Sequence, residues 1–170
     1  MRIYLETLGC RLNYAEMATL GRQLTAAGHQ LATSADEADL CVLNSCAVTG
    51  QAARQSRQMA RQMARTNPAA KLIITGCYAT LDRPAVALLP NVTDVVGNSG
   101  KDELLSVIQA AVGDDAPSSR PVGAAGAVAT SPDPRRTRAF VKVQDGCRNH
   151  CTFCIVTVAR GDEHSRPISD

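Results

Sequence analysis

The chain has 170 residues, of which 45% are apolar, 20% charged and 3% aromatic, with a net charge of +2. Such a length holds one domain with a real core, or one domain plus part of another. No apolar run approaches the roughly 20 residues that a membrane-crossing helix needs, the apolar fraction is too high for wholesale disorder, and the near-neutral charge supplies no global basic field for nucleic acid.

Residues 1–112 read as alternating strands and helices. Residues 2–8 are β-rich, as in a buried strand. Residues 13–27 carry a helical stripe of Met17, Leu20 and Leu24, stopped by Gly28. A short strand is expected at 29–33 and an apolar one at 39–44 (DLCVLN). A long helix follows at 51–65, with residues 52, 56, 59, 60 and 63 on one small or apolar face, ended by Pro68. Then come a strand at 71–75, a short helix at 84–89, a strand at 92–96 and a helix at 101–112. This alternation predicts an α/β fold: a doubly wound, parallel five-stranded sheet of flavodoxin or Rossmann-like type, with strand order 2-1-3-4-5.

Residues 113–136 change character, with Asp114, Asp115 and prolines at 117, 121, 132 and 134 among small residues. They read as a linker. Residues 138–144 (RAFVKVQ) alternate like a strand, and a cysteine cluster follows at once. One strand and one loop are too little for an independent core, so 137–170 is expected to be the start of a truncated second domain.

Seven cysteines are the unusual feature. The start carries a charge within five residues and no apolar h-region, so it is no signal peptide; a reducing, cytoplasmic setting is expected, where clustered thiols mean metal or catalysis. Cys147, Cys151 and Cys154 form C-x3-C-x2-C after a strand, on a loop turned by Gly146. Three thiolates this close suit an iron–sulfur cube with one iron left open. Zinc is the alternative, with His150 as fourth ligand. Cys10, Cys46 and Cys77 are dispersed, but each lies just past the carboxyl end of a predicted strand, and in the 2-1-3-4-5 order those strands are neighbours. They point either to a second open-sided cluster site or to three unrelated buried thiols. Cys41, in mid-strand, reads as core.

The segments TLGCRLNYAE (7–16), ADLCVLNSCAVT (38–49), TGCYA (75–79), VQDGCRNHCTFCIV (143–156) and ARGDEHSRP (159–167) together resemble the radical S-adenosylmethionine methylthiotransferases. The resemblance implies a transferase with two 4Fe-4S clusters. Cys147, Cys151 and Cys154 would hold the cluster whose open iron chelates S-adenosyl-L-methionine. Phe153 would pack against the adenine, the plainer alternative being a core residue. Cys10, Cys46 and Cys77 would hold an auxiliary cluster that carries or passes on sulfur. Residues 1–112 then correspond to the amino-terminal methylthiotransferase domain, and 137–170 to the first strand and cluster loop of the radical barrel. VLNSCAVTGQAARQSRQMARQMARTNP and VVGNSGKDEL look most like members that methylthiolate C2 of N6-threonylcarbamoyladenosine at position 37 of tRNA. Members acting on isopentenyladenosine-37 or on ribosomal protein S12 share both cysteine sets. The implied partners are tRNA through its anticodon loop, S-adenosylmethionine and an electron donor, with no membrane. A non-catalytic metal-binding module is the alternative from another class. With most of the barrel missing, the chain is expected to be inactive alone.

Arg54, Arg57, Arg61 and Arg65 recur at helical spacing as one basic stripe. A solvated face is the favoured reading over a contact to the tRNA backbone. Asn13 and Asn44 flank the first cysteine set and are expected to shape turns rather than to bond cluster sulfurs. His29 reads as structural.

Overall fold

The structure is a computed structural model, which describes residues 1–112 and 140–166. The linker at 113–136 and the first residues of the strand expected at 138–144 lie outside the described residues. The elements are β1 (Arg2–Thr7), α1 (Arg11–Ala26), β2 (Gln30–Leu31), β3 (Leu40–Ser45), α2 (Gly50–Thr66), β4 (Lys71–Gly76), α3 (Cys77–Leu81), α4 (Arg83–Ala87), β5 (Val92–Val96), α5 (Leu104–Val112), β6 (Gln144–Asp145), α6 (Val156–Arg160) and β7 (His164–Ser165).

The first five strands form one parallel sheet in the order β2-β1-β3-β4-β5, the order expected from the sequence. Period-two alternation sorts its side chains between two cores. Cys41, Leu43, Leu72 and Ile74 face Ala60 and Met63 of α2, together with Tyr78 and Val86. Leu40, Val42 and Ile73 face Met17, Leu20 and Leu24 of α1 and Leu104 and Ile108 of α5. Helices on both faces explain why every residue of β3 and all but the first of β4 are buried. Cys41 sits inside the first core, where burial pushes its thiol up to about 11.

One expected strand is corrected, and one helix is added. The strand at 138–144 is reduced, among the described residues, to Gln144–Asp145, paired antiparallel with His164–Ser165. Alternation marks faces, but a strand exists only where a neighbour supplies ladder partners. Val141 and Val143 remain exposed. The short helix expected at 84–89 is α4, and a further single turn, α3, precedes it; Asp82 joins the two, and its carboxylate caps Ala85 N–H at 3.4 Å. Pro84 marks the second turn, whereas nothing local announces a helix directly after Gly76.

Candidate metal centre

Cys10, Cys46 and Cys77 follow β1, β3 and β4, three adjacent strands, so all three lie at the same edge of the sheet. Cys46 and Cys77 are buried and Cys10 is exposed. The loops are drawn together by specific bonds. Leu8 N–H donates to the Asn44 carbonyl at 3.0 Å, and Ser45 Oγ donates to the Thr75 carbonyl at 2.5 Å. Ser56 Oγ, reaching from α2, accepts the Cys46 N–H at 3.0 Å and donates to its carbonyl at 2.9 Å. Gly9 is required where it stands: its φ is +99°, and a Cβ would lie 2.6 Å from Cys46 Sγ. The space between the first two loops thus exists only because residue 9 has no side chain.

Asn13 and Asn44 do not form turns. Asn13 lies in α1, fully buried, and its Nδ2 donates to the carbonyls of Leu8 (2.7 Å) and Ser45 (3.4 Å). Its Oδ1 lies 3.7 Å from Cys10 Sγ. Asn44 lies in β3 and bonds the Asn13 carbonyl and Glu16. Asn98, which spacing did not single out, places Nδ2 3.6 Å from Cys77 Sγ. His29 keeps a structural place: its N–H donates to Leu24 O, and burial lowers its pKa.

Cys147, Cys151 and Cys154 occupy a loop fixed by backbone bonds. Cys147 N–H donates to Gly161 O at 3.0 Å, and Cys154 N–H to Cys151 O at 3.1 Å. Thr157 Oγ1 lies 2.9 Å from Cys147 O and 2.8 Å from Asn149 O. Gly146, at φ +70°, turns against the Asp162 carbonyl with no room for a Cβ. Cys151 and Cys154 are exposed, and Phe153 is 91% exposed, so its ring is not packed as core under the loop. All seven cysteines are free thiols.

Among the described residues no three His, Cys, Asp or Glu side chains stand together as they would to hold one metal ion. Neither cysteine set, nor the second one with His150, is drawn in as a metal-ion sphere among the described residues. Three thiols in each set are the donor chemistry that an iron–sulfur cluster takes. A cube takes each thiolate at a different corner and so spaces its ligands more widely than one coordination sphere does. Both sets offer three unbridged thiols, and glycines at positive φ turn the chain just before Cys10, Cys77 and Cys147.

Spacing alone does not reveal the network between these sets. Glu16 accepts from Lys101 (2.5 Å), Lys142 (2.9 Å) and Arg160 (2.9 Å). Asp145 accepts from Lys142 (2.6 Å) and Arg160 (2.8 Å). These five side chains are only 5–12% exposed. Burial opposes ionisation of Glu16, but Lys101 and Arg160 outweigh it and hold the carboxyl well below the usual range. Asp145 is lowered likewise, Lys142 and Arg160 overcoming burial. Arg160 also donates to Asn13 Oδ1 at 2.7 Å. The available signal was that Glu16, Asp145 and Arg160 fall inside the family-like segments beside the cysteines. A cavity of about 530 Å³ opens beside this network, with Glu16, Lys101 and Lys142 in its wall and none of the cysteines.

The basic stripe is divided. Arg54, Arg61 and Arg65 are exposed, with no ion pair among the described residues. Arg57 turns inward, donates to Tyr78 Oη at 3.1 Å and stacks over its ring.

The sequence model of the uncharacterized protein family UPF0004 matches residues 2–97, the span from β1 to the end of β5. Relatives include the "Threonylcarbamoyladenosine tRNA methylthiotransferase MtaB" of Aquifex aeolicus, 35% identical over 97% of this chain and 42% of the relative. The protein of that name from Chlamydia pneumoniae is 36% identical over 94% of this chain and 36% of the relative. The "Ribosomal protein uS12 methylthiotransferase RimO" of Colwellia psychrerythraea is 30% identical over 96% and 36%. The chain thus spans about two fifths of the length of these curated relatives. With the family match covering the whole five-stranded sheet and the loops that carry Cys10, Cys46 and Cys77, this chain belongs to the UPF0004 family, and its relatives are methylthiotransferases.

Proposed function

We propose that this chain supplies both iron–sulfur sites of a radical S-adenosylmethionine methylthiotransferase acting on C2 of N6-threonylcarbamoyladenosine-37 of tRNA. The observation that carries this reading is the pair of three-thiol sets, one at the sheet edge and one on the C-x3-C-x2-C loop. Residues 1–112 then form the auxiliary-cluster domain, 113–136 a linker, and 137–170 the start of the radical domain. A cluster held by the second set would, with S-adenosylmethionine and one electron from an external donor, supply radical chemistry for hydrogen abstraction at the target carbon. The chain's own residues hold, orient and insulate. Cys147, Cys151 and Cys154 give three thiolates and so leave a fourth position for S-adenosylmethionine. Phe153 offers an unpacked ring for the adenine. Cys10, Cys46 and Cys77 hold the auxiliary cluster with a position open for sulfur.

The tRNA reading draws on the two MtaB relatives at 35% and 36% identity. Ribosomal protein S12 is the second reading, favoured by the RimO relative at 30%. Anaerobic reconstitution tests the clusters. About eight irons per chain, falling to about four in a Cys147/Cys151/Cys154→Ala variant, is the expected result. Iron unchanged by the substitutions, or stoichiometric zinc, would leave a metal-binding module. Mass analysis of tRNA and S12 from cells lacking the gene assigns the substrate. Loss of the methylthio group from tRNA is expected, and its loss from S12 alone would overturn that choice.

A further inference from the structure

Two neighbouring residues at the end of α6 each stand one amide away from a different thiol of the sheet-edge set. Ala159 O accepts from Asn98 Nδ2 at 2.5 Å, and the same nitrogen lies 3.6 Å from Cys77 Sγ. Arg160 Nη2 donates to Asn13 Oδ1 at 2.7 Å, and the same oxygen lies 3.7 Å from Cys10 Sγ. The other side of this turn grips the second set. Gly161 O takes the Cys147 N–H at 3.0 Å, and Thr157 Oγ1 bonds the Cys147 carbonyl at 2.9 Å. Between Cys77 and the backbone of Cys147 there is thus only one amide side chain and one helical turn.

The brace is buried and stiff. Ala159 is 1% exposed and Asn98 8%. Glu16 and Asp145 fix the Arg160 guanidinium, so its orientation toward Asn13 is not free to vary. Asn98 Oδ1 has no hydrogen-bond partner among the described residues. A buried amide with an unmade bond carries a desolvation cost that its remaining bonds must offset. Those bonds are its N–H contacts with a sulfur and with α6.

We propose that Asn98 and Arg160 are positioning residues that brace the two cysteine sets through α6, fixing the separation of the two clusters and tuning the one held by Cys10, Cys46 and Cys77. The inference rests on the two-cluster reading above. A hydrogen bond donated to a cluster thiolate stabilises the reduced, more negative state and raises the potential. Of the two, only Asn98 offers a donor to a sulfur; Arg160 holds Asn13, whose Oδ1 is an acceptor beside Cys10, so it fixes the place of that loop and donates nothing to a thiolate.

The test uses the protein, reconstituted anaerobically, as wild type, Asn98→Leu and Arg160→Lys. Iron content, the midpoint potential of each cluster and the magnetic interaction between the two reduced clusters are read. Asn98→Leu is expected to keep its iron, lower the potential of the sheet-edge cluster alone, and alter the interaction. Arg160→Lys keeps the charge but not the reach to Asn13; it is expected to alter the interaction with a smaller shift in potential. Wild-type potentials and interaction in a fully loaded Asn98→Leu protein would overturn the brace. Should that variant fail to load, Arg160→Lys decides by the same criterion. A wild-type protein that binds no iron would instead overturn the two-cluster reading, and the brace with it.

Discussion

Cys10, Cys46 and Cys77 are scattered through the first half of the chain and are brought to one edge by a sheet whose central strand is wholly buried. Cys147, Cys151 and Cys154 lie within a few residues of one another on a loop carried by a two-stranded ribbon. The first set depends on tertiary structure. Its geometry is lost whenever β1, β3 and β4 separate. The second depends on chain connectivity and a few backbone bonds, and two of its thiols face solvent. One kind of ligand is thus held once by the core and once by local sequence. The Glu16–Arg160–Asp145 network is where the two meet.

Removing the centre of that network gives the largest expected effect. Glu16→Gln leaves Lys101, Lys142 and Arg160 with Asp145 as their sole remaining carboxylate in the network. Breaking a buried ion cluster from one side costs about 3–5 kcal/mol. Urea denaturation should show that loss, and amide exchange should show residues 140–166 opening while β3 stays protected. A change below about 1 kcal/mol would mean that the two regions are held together by something else. Acid should act on the same ion pairs. The carboxyls of Glu16 and Asp145 are both lowered in the folded chain. Their stabilisation is complete above the unfolded values of about 4 and fades as pH falls through the lower folded values. Stability measured from pH 7 to pH 3 should therefore hold until about pH 5 and then drop, and the drop should be shallower in Glu16→Gln.

Smaller, separable effects come from the two glycines. Gly9→Ala forces a side chain against Cys46 Sγ at positive φ, and Gly146→Ala forces one against the Asp162 carbonyl. Each costs about 1–3 kcal/mol of local strain. Each should also remove the iron of its own set, leaving about four of about eight per chain after reconstitution. If either variant loses all its iron, the two sets assemble cooperatively, and the contrast between core-held and locally held thiols fails.

The contrast also explains what could be read in advance. The strand order and the common edge of Cys10, Cys46 and Cys77 were legible because parallel strands buried on both faces leave nearly unbroken apolar runs, and turns fall where those runs stop. The loop set was legible from spacing alone. The network was not, because Glu16, Lys101, the Lys142–Asp145 pair and Arg160 come from four separate places, and a charged residue in a sequence reads as surface until its partners are known. Asn13 illustrates the same limit. A polar residue just past a strand suggests a turn, yet it lies inside α1 and bonds two loop carbonyls from there. The strand expected through residues 140–143 shows the converse error, since alternation was present and a pairing partner was not.

The arginines of α2 give the smallest expected effect and a control for both regions. Arg57 packs on Tyr78, the residue after Cys77, and its loss should cost about 1 kcal/mol and loosen the sheet-edge set. Arg54, Arg61 and Arg65 make no ion pair among the described residues, so replacing all three with Ala should change stability by less than about 0.5 kcal/mol. Binding separates the two roles that stability cannot. A face that neutralises phosphates releases counterions, so its removal should weaken tRNA binding and flatten its dependence on salt by roughly one unit of slope for each phosphate no longer neutralised. If the triple variant binds tRNA with an unchanged salt slope, the face is simply solvated.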